Sequence, residues 1–368
     1  MAKHNASNER IKRRYLEYLK EAKQLSEHTL DGVSKALNRF ETFTDFRDFR
    51  LFHLNDAITF KRHLGQQKGQ RSGNELSIAT LHSTLIQLKQ FFVWLAGQPG
   101  YKSRIEYSDA DYFNLSSNDT RIAQARREPK FPTVEQVRHV IDSMPAETEI
   151  QRRNRALIAF ALLTGARDSA IASAKLKHVD LITGSFFQDA REVKTKFRKT
   201  FMTVFFPVGS EVREIVAEWV LYLRQVKLWG NDGPLFPATE VAIGTSRQFE
   251  ASGLKQDHWS NASPIRQIFR EAFTSAGLEY FNPHTFRNTL VQLGEVLCKT
   301  PEEFKAWSQN LGHENVLTTF SSYGEVASHR QREIIRSLAT PKPAGRSDVE
   351  EIAEAIAKRL REARTEHE

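Results

Sequence analysis

Residues 282–289 read NPHTFRNT and mark the beginning of a helix in the carboxyl-terminal third of the chain. Proline is favoured in the first helical turn, so Pro283 is placed to start this helix. His284 and Arg287 are three positions apart and therefore project from the same helical face. An imidazole and a guanidinium on one face can both donate hydrogen bonds to a single anion. The stretch therefore predicts a helix whose first turns present a cationic pair.

Other stretches of the same region carry groups of comparable chemistry. LLTGARDSAI at 162–171 predicts a helix that Gly165 ends and a second helix that begins near Asp168. Arg167 lies between them, where unpaired backbone N–H groups also favour an anion. The remaining stretches are VKTKFRKT at 193–200, LGHEN at 311–315 and SSYGEV at 321–326. Each has an ordinary structural explanation when taken singly, so only the ordered set is informative.

That ordered set resembles the tyrosine recombinases, also called phage-type integrases. The residues that carry the resemblance are Arg167, Lys194, His284, Arg287, His313 and Tyr323. The similarity extends over about residues 130 to 335, and the helical segment before it looks like the core-binding domain of that family. The resemblance implies a site-specific DNA recombinase or integrase that cuts and rejoins DNA through a 3′-phosphotyrosyl intermediate. It implies neither a metal nor a nucleotide cofactor.

The resemblance also assigns the groups that would bind and attack the phosphate. Arg167, Arg287 and His313 would hold the scissile phosphate and stabilise the charge that develops on its oxygens. Tyr323 would be the nucleophile. A tyrosine hydroxyl has an ordinary pKa of about 10, so it needs neighbouring cations and a base.

Two proton-transfer roles remain, and one of them has two candidates. His284 stands where the family has the base or its support. The leaving 5′ oxygen needs a proton, and Lys194 matches the catalytic lysine of the family. Lys196 is the alternative, since KTK places lysines on both sides of one threonine and the sequence does not fix the register of the turn.

The chain departs from the family pattern at three positions. Ala170 stands where the family usually has an acid three residues after the first arginine, and Asn288 replaces a frequent histidine. Tyr323 follows His313 by ten residues, one more than is common. Two other functions therefore stay open: an architectural DNA-binding protein with impaired catalysis, and a type IB topoisomerase-like nicking and closing enzyme.

The organisation of the chain predicts two domains of mainly α-helical structure with a small β-sheet. Residues 1–98 are expected to form a helical core-binding bundle and 99–131 an interdomain linker. Residues 132–340 are expected to form a mixed α/β catalytic domain, and 341–368 a loop with an amphipathic helix. The first domain is predicted from three sets of apolar residues at three- and four-residue spacing, which are Ile11, Tyr15, Tyr18 and Leu19, then Leu30, Val33, Leu37 and Phe40, then Leu81, Leu85, Leu88, Phe92 and Leu95. Asn55 is predicted to cap the helix between the second and third of these sets.

Charge and composition agree with a polyanion as the partner. The 368 residues carry a net charge of +8, and residues 1–130 hold 22 basic and 15 acidic side chains. Positive charge gathered in one region suits a duplex-DNA surface. Cys298 is the single cysteine, and His258 and His329 show no metal-ligand spacing, so no disulfide or metal site is expected.

The sequence contains no apolar run long enough to span a membrane, and we expect a soluble cytoplasmic protein. By resemblance, the working form would be a homotetramer assembled on double-stranded DNA. Accessory DNA-bending proteins are compatible with this expectation.

Overall fold

The computed structural model describes residues 4–68, 73, 75–125, 130–243 and 248–313. The chain divides into two compact units, Met1–Arg126 and Arg127–Glu368. Among the described residues helices predominate, together with two small antiparallel sheets, which confirms the predicted fold class. No helix in the described part of the chain combines the length and apolarity needed to cross a membrane. The predicted loop and terminal helix at 341–368 lie outside the described residues.

The described part of the first unit contains five α-helices. They are α1 (Ala6–Glu17), α2 (Glu27–Phe43), α3 (Leu54–Gln66), α4 (Ile78–Ala96) and α5 (Ser117–Gln124). The apolar residues predicted at helical spacing are buried in its core, apart from the half-buried Tyr18 and Leu81. Amphipathic helices gain most of their stability from burying such a face against one another.

An aromatic cluster fills the centre of this core. The rings of Phe52 and Phe92 stack with their centroids 3.7 Å apart, and Phe113 stacks on both. Phe113 ends a 3-10 helix, Tyr107–Phe113, inside the stretch predicted as a linker. The first half of that stretch therefore packs with the first unit, because its large apolar side chains are buried in the aromatic core.

The predicted cap of α3 is wrong by two residues. His53 caps the helix, since its Nδ1 accepts the backbone N–H of Asn55 over 3.3 Å. The carboxylate of Asp56 in turn accepts the N–H of His53 over 3.1 Å, which completes a capping box. A ring nitrogen of His53 therefore caps the helix, which is the role predicted for the side chain of Asn55.

The second unit holds seven further α-helices in its described part. They are α6 (Val134–Ser143), α7 (Glu149–Thr164), α8 (Asp168–Ser173), α9 (Ser210–Leu221), α10 (Ser263–Ser275), α11 (Thr285–Leu297) and α12 (Pro301–Asn310). Every residue of α7 from Ala156 to Leu163 is buried. A helix that is apolar on all sides belongs at the centre of a domain, and α6, α9, α10 and α11 contribute side chains to the core around it.

The described residues of the second unit also form two small sheets. Strands β1 (Val179–Asp180), β2 (Ser185–Gln188) and β3 (Phe201–Val204) form an antiparallel sheet in that order. The sequence from Phe186 to Phe206 predicts strands separated by the polar turn TKFRK, and β2 and β3 agree with that prediction. Strands β4 (Ala238–Ile243) and β5 (Phe249–Lys255) form a separate hairpin that the sequence did not predict. Most of its side chains are exposed, so it lacks the apolar alternation by which strands are recognised.

Candidate active site

The turn between α7 and α8 positions Arg167. Gly165 ends α7 in the left-handed region, with φ 57° and ψ 21°, which confirms the predicted helix stop. A Cβ on Gly165 would lie 2.9 Å from the side chains of Leu290 and of Leu311, so the position requires glycine for space as well as for conformation. Arg167 is the amino-terminal cap residue of α8 and so lies at the end of that helix that favours an anion.

Arg287 joins three segments of the second unit. It lies on α11 with 3% of its surface exposed. Its Nη1 donates to the carbonyl of Gly165 over 2.8 Å, and its Nη2 donates to the carbonyl of Leu311 over 2.5 Å. The same Nη2 is 2.8 Å from Nε2 of His313. One buried guanidinium thus fixes the turn before Arg167, the end of α12 and the imidazole of His313 relative to one another.

The two site histidines experience the same cationic environment. Burial, followed by the positive charges of Arg287 and Arg167, lowers the pKa of His313 to about 4. Desolvation within the cleft, followed by the charges of Arg287, Arg167 and Lys196, lowers the pKa of His284, although this residue remains exposed overall. Both rings are therefore neutral near pH 7, and each can donate one hydrogen bond and accept another.

His284 stands at the very start of its helix. α11 begins at Thr285, and His284 is the cap residue, with φ −66° and ψ −26°. Because this backbone is already helical, His284 and Arg287 keep the spacing that the sequence predicts for one face. The charge of Arg287 contributes to the lowered pKa of His284, which agrees with a shared neighbourhood.

The turn between β2 and β3 carries the lysines, and α8 holds it by the main chain. The N–H of Lys194 donates to Oγ of Ser173 over 2.8 Å, and Oγ of Ser169 donates to the carbonyl of Lys194 over 3.1 Å. Ser169 and Ser173 are one helical turn apart on the helix that Arg167 begins. The backbone of Lys194 is therefore coupled to the position of Arg167.

The lysines of this turn act on different histidines. The charge of Lys196 contributes to the lowered pKa of His284, and that of Lys199 to the lowered pKa of His313. Lys194 contributes instead to the lowered pKa of His258. Lys194 and Lys196 could be predicted from the sequence as site residues, whereas Lys199 could not, because its only signal is its place in a basic run.

Ala170 stands at the position where the resemblance leads us to expect an acid. Ala170 has 1% of its surface exposed and packs in the core of the second unit. Asp168, two residues earlier, forms an ion pair of 2.7 Å with Arg266 on α10. The nearest acid in sequence is thus engaged by α10, while the hydroxyls of Ser169 and Ser173 contact the Lys194 segment.

Tyr323 lies outside the described residues, as do the rest of the segment after His313 and the predicted terminal helix. Among the residues that the structure does describe, no group of three or more His, Cys, Asp or Glu side chains is arranged to hold a metal ion. The structure brings together Arg167, His284, Arg287 and His313, with the lysine turn beside them. Two guanidinium groups and two neutral imidazoles in one place are suited to bind an oxyanion.

Two family models match most of the chain. The family described as "Phage integrase family" matches residues 130–330, and "Phage integrase, N-terminal SAM-like domain" matches residues 13–98. The Tyrosine recombinase XerC of Halalkalibacterium halodurans is 24% identical over 336 residues, which cover 88% of this chain and 95% of the relative. The XerC of Lactobacillus leichmannii is 26% identical over 255 residues, covering 67% and 72% of the two chains.

Solved structures share the fold. The XerH site-specific recombinase bound to palindromic difH substrate has a TM-score of 0.58 at 17% identity, with 91% of this chain and 86% of that chain covered. A lambda integrase (75-356) dimer bound to a COC′ core site has a TM-score of 0.57 at 13% identity, with 87% and 96% covered.

Proposed function

The chain belongs to the phage integrase family, and from that premise we propose that it is a tyrosine-type site-specific DNA recombinase. It cuts and rejoins duplex DNA through a 3′-phosphotyrosyl intermediate. The observation that carries the proposal is the arrangement of Arg287, whose guanidinium contacts the Gly165 carbonyl and the His313 ring. This contact places a buried cation and a neutral imidazole beside the turn that presents Arg167.

In the proposed reaction, the scissile phosphate binds against Arg167, Arg287 and His313. Their donors stabilise the extra negative charge that the non-bridging oxygens gain in the transition state. His313 serves as a neutral donor, since burial and the neighbouring arginines keep its pKa at about 4. A neutral ring also avoids adding a third full positive charge to a crowded site.

The covalent step exchanges one phosphate ester for another. The hydroxyl oxygen of Tyr323 forms a bond to phosphorus while the bond from phosphorus to the 5′ oxygen breaks. The tyrosine proton passes to the neutral His284 ring, whose lowered pKa leaves it able to accept a proton at neutral pH. The 5′ oxygen takes a proton from Lys194, with Lys196 as the alternative donor. A different 5′ hydroxyl then attacks the phosphotyrosine and restores the backbone.

Recombination needs two duplexes, so the proposed working form is a homotetramer assembled on DNA. Relatives of the fold have been captured with DNA, such as the XerH complex with its palindromic difH substrate. The first unit contributes basic side chains to the phosphate backbone, in keeping with the charge of residues 1–130. Light scattering of the purified protein with and without its duplex measures this assembly.

The test uses nicked suicide duplexes prepared from the DNA that flanks the gene. Cleavage of such a duplex releases a short strand and traps the covalent adduct, which resists denaturation. Wild-type protein is expected to form the adduct and Tyr323→Phe to form none. Tyr112→Phe is the matched control, because Tyr112 is an exposed tyrosine of the first unit. An adduct with Tyr323→Phe would disprove the nucleophile, and tight binding by the wild type without an adduct would favour the architectural alternative.

A second measurement separates recombination from simple relaxation. A type IB topoisomerase-like enzyme relaxes a supercoiled plasmid that carries no paired sites. The proposed recombinase acts on a plasmid with two copies of its site and produces deleted or inverted products. Relaxation of a plasmid without the sites, with no recombinant product from the plasmid with two, would overturn the proposal.

A further inference from the structure

The turn between β2 and β3 exposes an aromatic side chain beside the candidate site. Phe197 lies at the centre of this turn and has 86% of its surface in contact with solvent. A fully apolar ring gains nothing from such exposure, since it is burial of a phenylalanine side chain that stabilises a protein. We therefore expect a binding partner to cover the ring of Phe197.

The backbone at Phe197 is strained. Phe197 has φ 59° and ψ 22°, and Arg198 has φ 52°. The N–H of Arg198 donates to the carbonyl of Thr195 over 3.3 Å, which makes Phe197 the third residue of a β-turn. Where that residue has a positive φ, glycine is the usual choice, and a bulky side chain there is an outlier. Strain of this kind collects at functional sites.

Another exposed residue with positive φ has an ordinary explanation. Leu228 has φ 54° and is 80% exposed. It follows the helical segment Tyr222–Val226, and the N–H of Trp229 bonds back to the carbonyl of Leu223 over 3.0 Å. A left-handed residue is common where a helix ends. Phe197 ends no such helix, so the strain there is left without a structural benefit.

The surroundings of Phe197 are positively charged. Residues 193–208 read VKTKFRKTFMTVFFPV and contain four basic residues and no acidic one. Lys196 lies over the Phe197 ring, with its Nζ 4.9 Å from the centroid. An apolar ring flanked by cations is complementary to stacked bases between two phosphate backbones, and much less so to an apolar protein surface.

The turn is also fixed close to the phosphate-binding cluster. At the foot of the turn, a Cβ on Gly312 would lie 2.6 Å from the Phe201 ring, so β3 packs tightly against the residue before His313. Thr203 donates through Oγ1 to the carbonyl of Asn310 over 3.0 Å. The lysines on either side of Phe197 contribute to the lowered pKa values of His284 and His313.

We propose that Phe197 is an apolar wedge that inserts between two base pairs of the duplex next to the phosphate that is cut, while Lys196 and Arg198 bind the flanking phosphates. Proteins use phenylalanine in this way to unstack a base step and kink the duplex. Because deformation is easier at some steps than at others, the wedge contributes to the choice of the cleavage position. This inference rests on the proposed function.

The test measures base unstacking in a protein that cannot cut. Full-length Tyr323→Phe protein is bound to a duplex from the DNA flanking its gene. The complex is then probed with permanganate, which reacts with unstacked thymines, and with diethyl pyrocarbonate, which reacts with unstacked purines. We expect a reactive base step within the protected region. Phe197→Ala and Phe197→Gly in the same background are expected to bind the duplex with reactivity at the level of free DNA.

Control variants separate the wedge from a general loss of structure. Phe197→Leu is expected to restore unstacking, since leucine also serves as a wedge, and Leu228→Ala is expected to leave it unchanged. Phe197→Gly is expected to raise the Tm by about 2 °C or more, because glycine relieves the strain. If Phe197→Gly is more thermally stable and no longer unstacks bases, Phe197 acts on the DNA and does not stabilise the fold.

Several results would overturn the wedge. The proposal is disproved if Phe197→Ala unstacks bases as much as the Tyr323→Phe protein that carries Phe197. It is also disproved if the bound duplex shows no reactive base step. Loss of self-association in Phe197→Ala with unstacking intact would instead assign the ring to a second copy of the chain. A Tyr323-dependent adduct together with any of these results leaves the proposed function standing, whereas failure to bind any duplex removes both.

Discussion

The guanidinium of Arg287 donates to the imidazole of His313, with 2.8 Å between Nη2 and Nε2. A guanidinium has donors and no acceptor, so Nε2 of His313 must accept. The neutral ring consequently carries its proton on Nδ1. Burial is the largest cause of the lowered pKa of His313, and the positive charge of the adjacent Arg287 adds to it, because that charge opposes protonation of the ring.

A dependence of stability on pH follows from His313. Burial and the charges of Arg287, Arg167, His284 and Lys199 lower its pKa to about 4, while an unfolded histidine has a pKa of about 6.5. Between these values the unfolded chain binds more protons, so this stabilisation is complete above about pH 6.5 and is lost as the pH falls towards 4. We expect His313→Gln to reduce the loss between pH 7 and 4.5 by about 2 kcal/mol, measured by urea unfolding.

The matched control for this pH effect is His139→Gln. His139 is an exposed histidine of α6 in the same unit. The control variant is expected to lose stability with falling pH as the wild type does. A slope in His313→Gln equal to that of the wild type would contradict the assigned protonation state.

The general acid can be identified with a modified substrate. Replacing the 5′ bridging oxygen by sulfur provides a leaving group that departs without a proton. We expect Lys194→Ala to slow cleavage of ordinary DNA by about 10² to 10⁴-fold and to be restored on the sulfur substrate. Lys196→Ala and Lys199→Ala are expected to weaken binding without such rescue. If the sulfur substrate restores cleavage by Lys196→Ala or Lys199→Ala and not by Lys194→Ala, the restored lysine is the general acid.

The serines that hold Lys194 are expected to act through that lysine. Ser169→Ala with Ser173→Ala removes the hydrogen bonds of 3.1 Å and 2.8 Å to its main chain. Cleavage in the double variant should fall about tenfold, the equivalent of one net hydrogen bond, with DNA affinity unchanged. The sulfur substrate should restore the rate. Ser143→Ala, which removes a hydroxyl bonded to its own helix, is the control; a loss on both substrates would show mere misfolding.

Gly165 offers a test of the close packing behind Arg167. Gly165→Ala combines a left-handed backbone with contacts of 2.9 Å to Leu290 and Leu311. Gly277→Ala has φ +75° and nothing within 4 Å of the added carbon, so it reports the backbone strain alone. We expect Gly165→Ala to lower the free energy of unfolding by about 1 to 3 kcal/mol more than the control, and to slow cleavage. Equal losses of the free energy of unfolding in Gly165→Ala and Gly277→Ala would show that Leu290 and Leu311 move to accommodate the added Cβ.

The helices of the first unit could be predicted from the sequence because their apolar spacing is strong and local. The predicted faces of α1, α2 and α4 are largely those that meet in the core. The β4–β5 hairpin could not be predicted, since its exposed side chains leave no alternating pattern. The cap of α3 by His53 could not be predicted either, because an imidazole nitrogen is an uncommon substitute for a side-chain oxygen at the start of a helix.

The sequence by itself determined which residues of the candidate site to consider, since the ordered motifs around Arg167, His284 and His313 are visible without any structure. Only the tertiary structure decided how they meet. Arg287 bonds to the carbonyl of Gly165 across 122 positions, and Lys194 is held by serines of a helix some 20 positions earlier. Such contacts depend on packing around α7 and on main-chain groups common to all residues, so no local pattern of side chains encodes them.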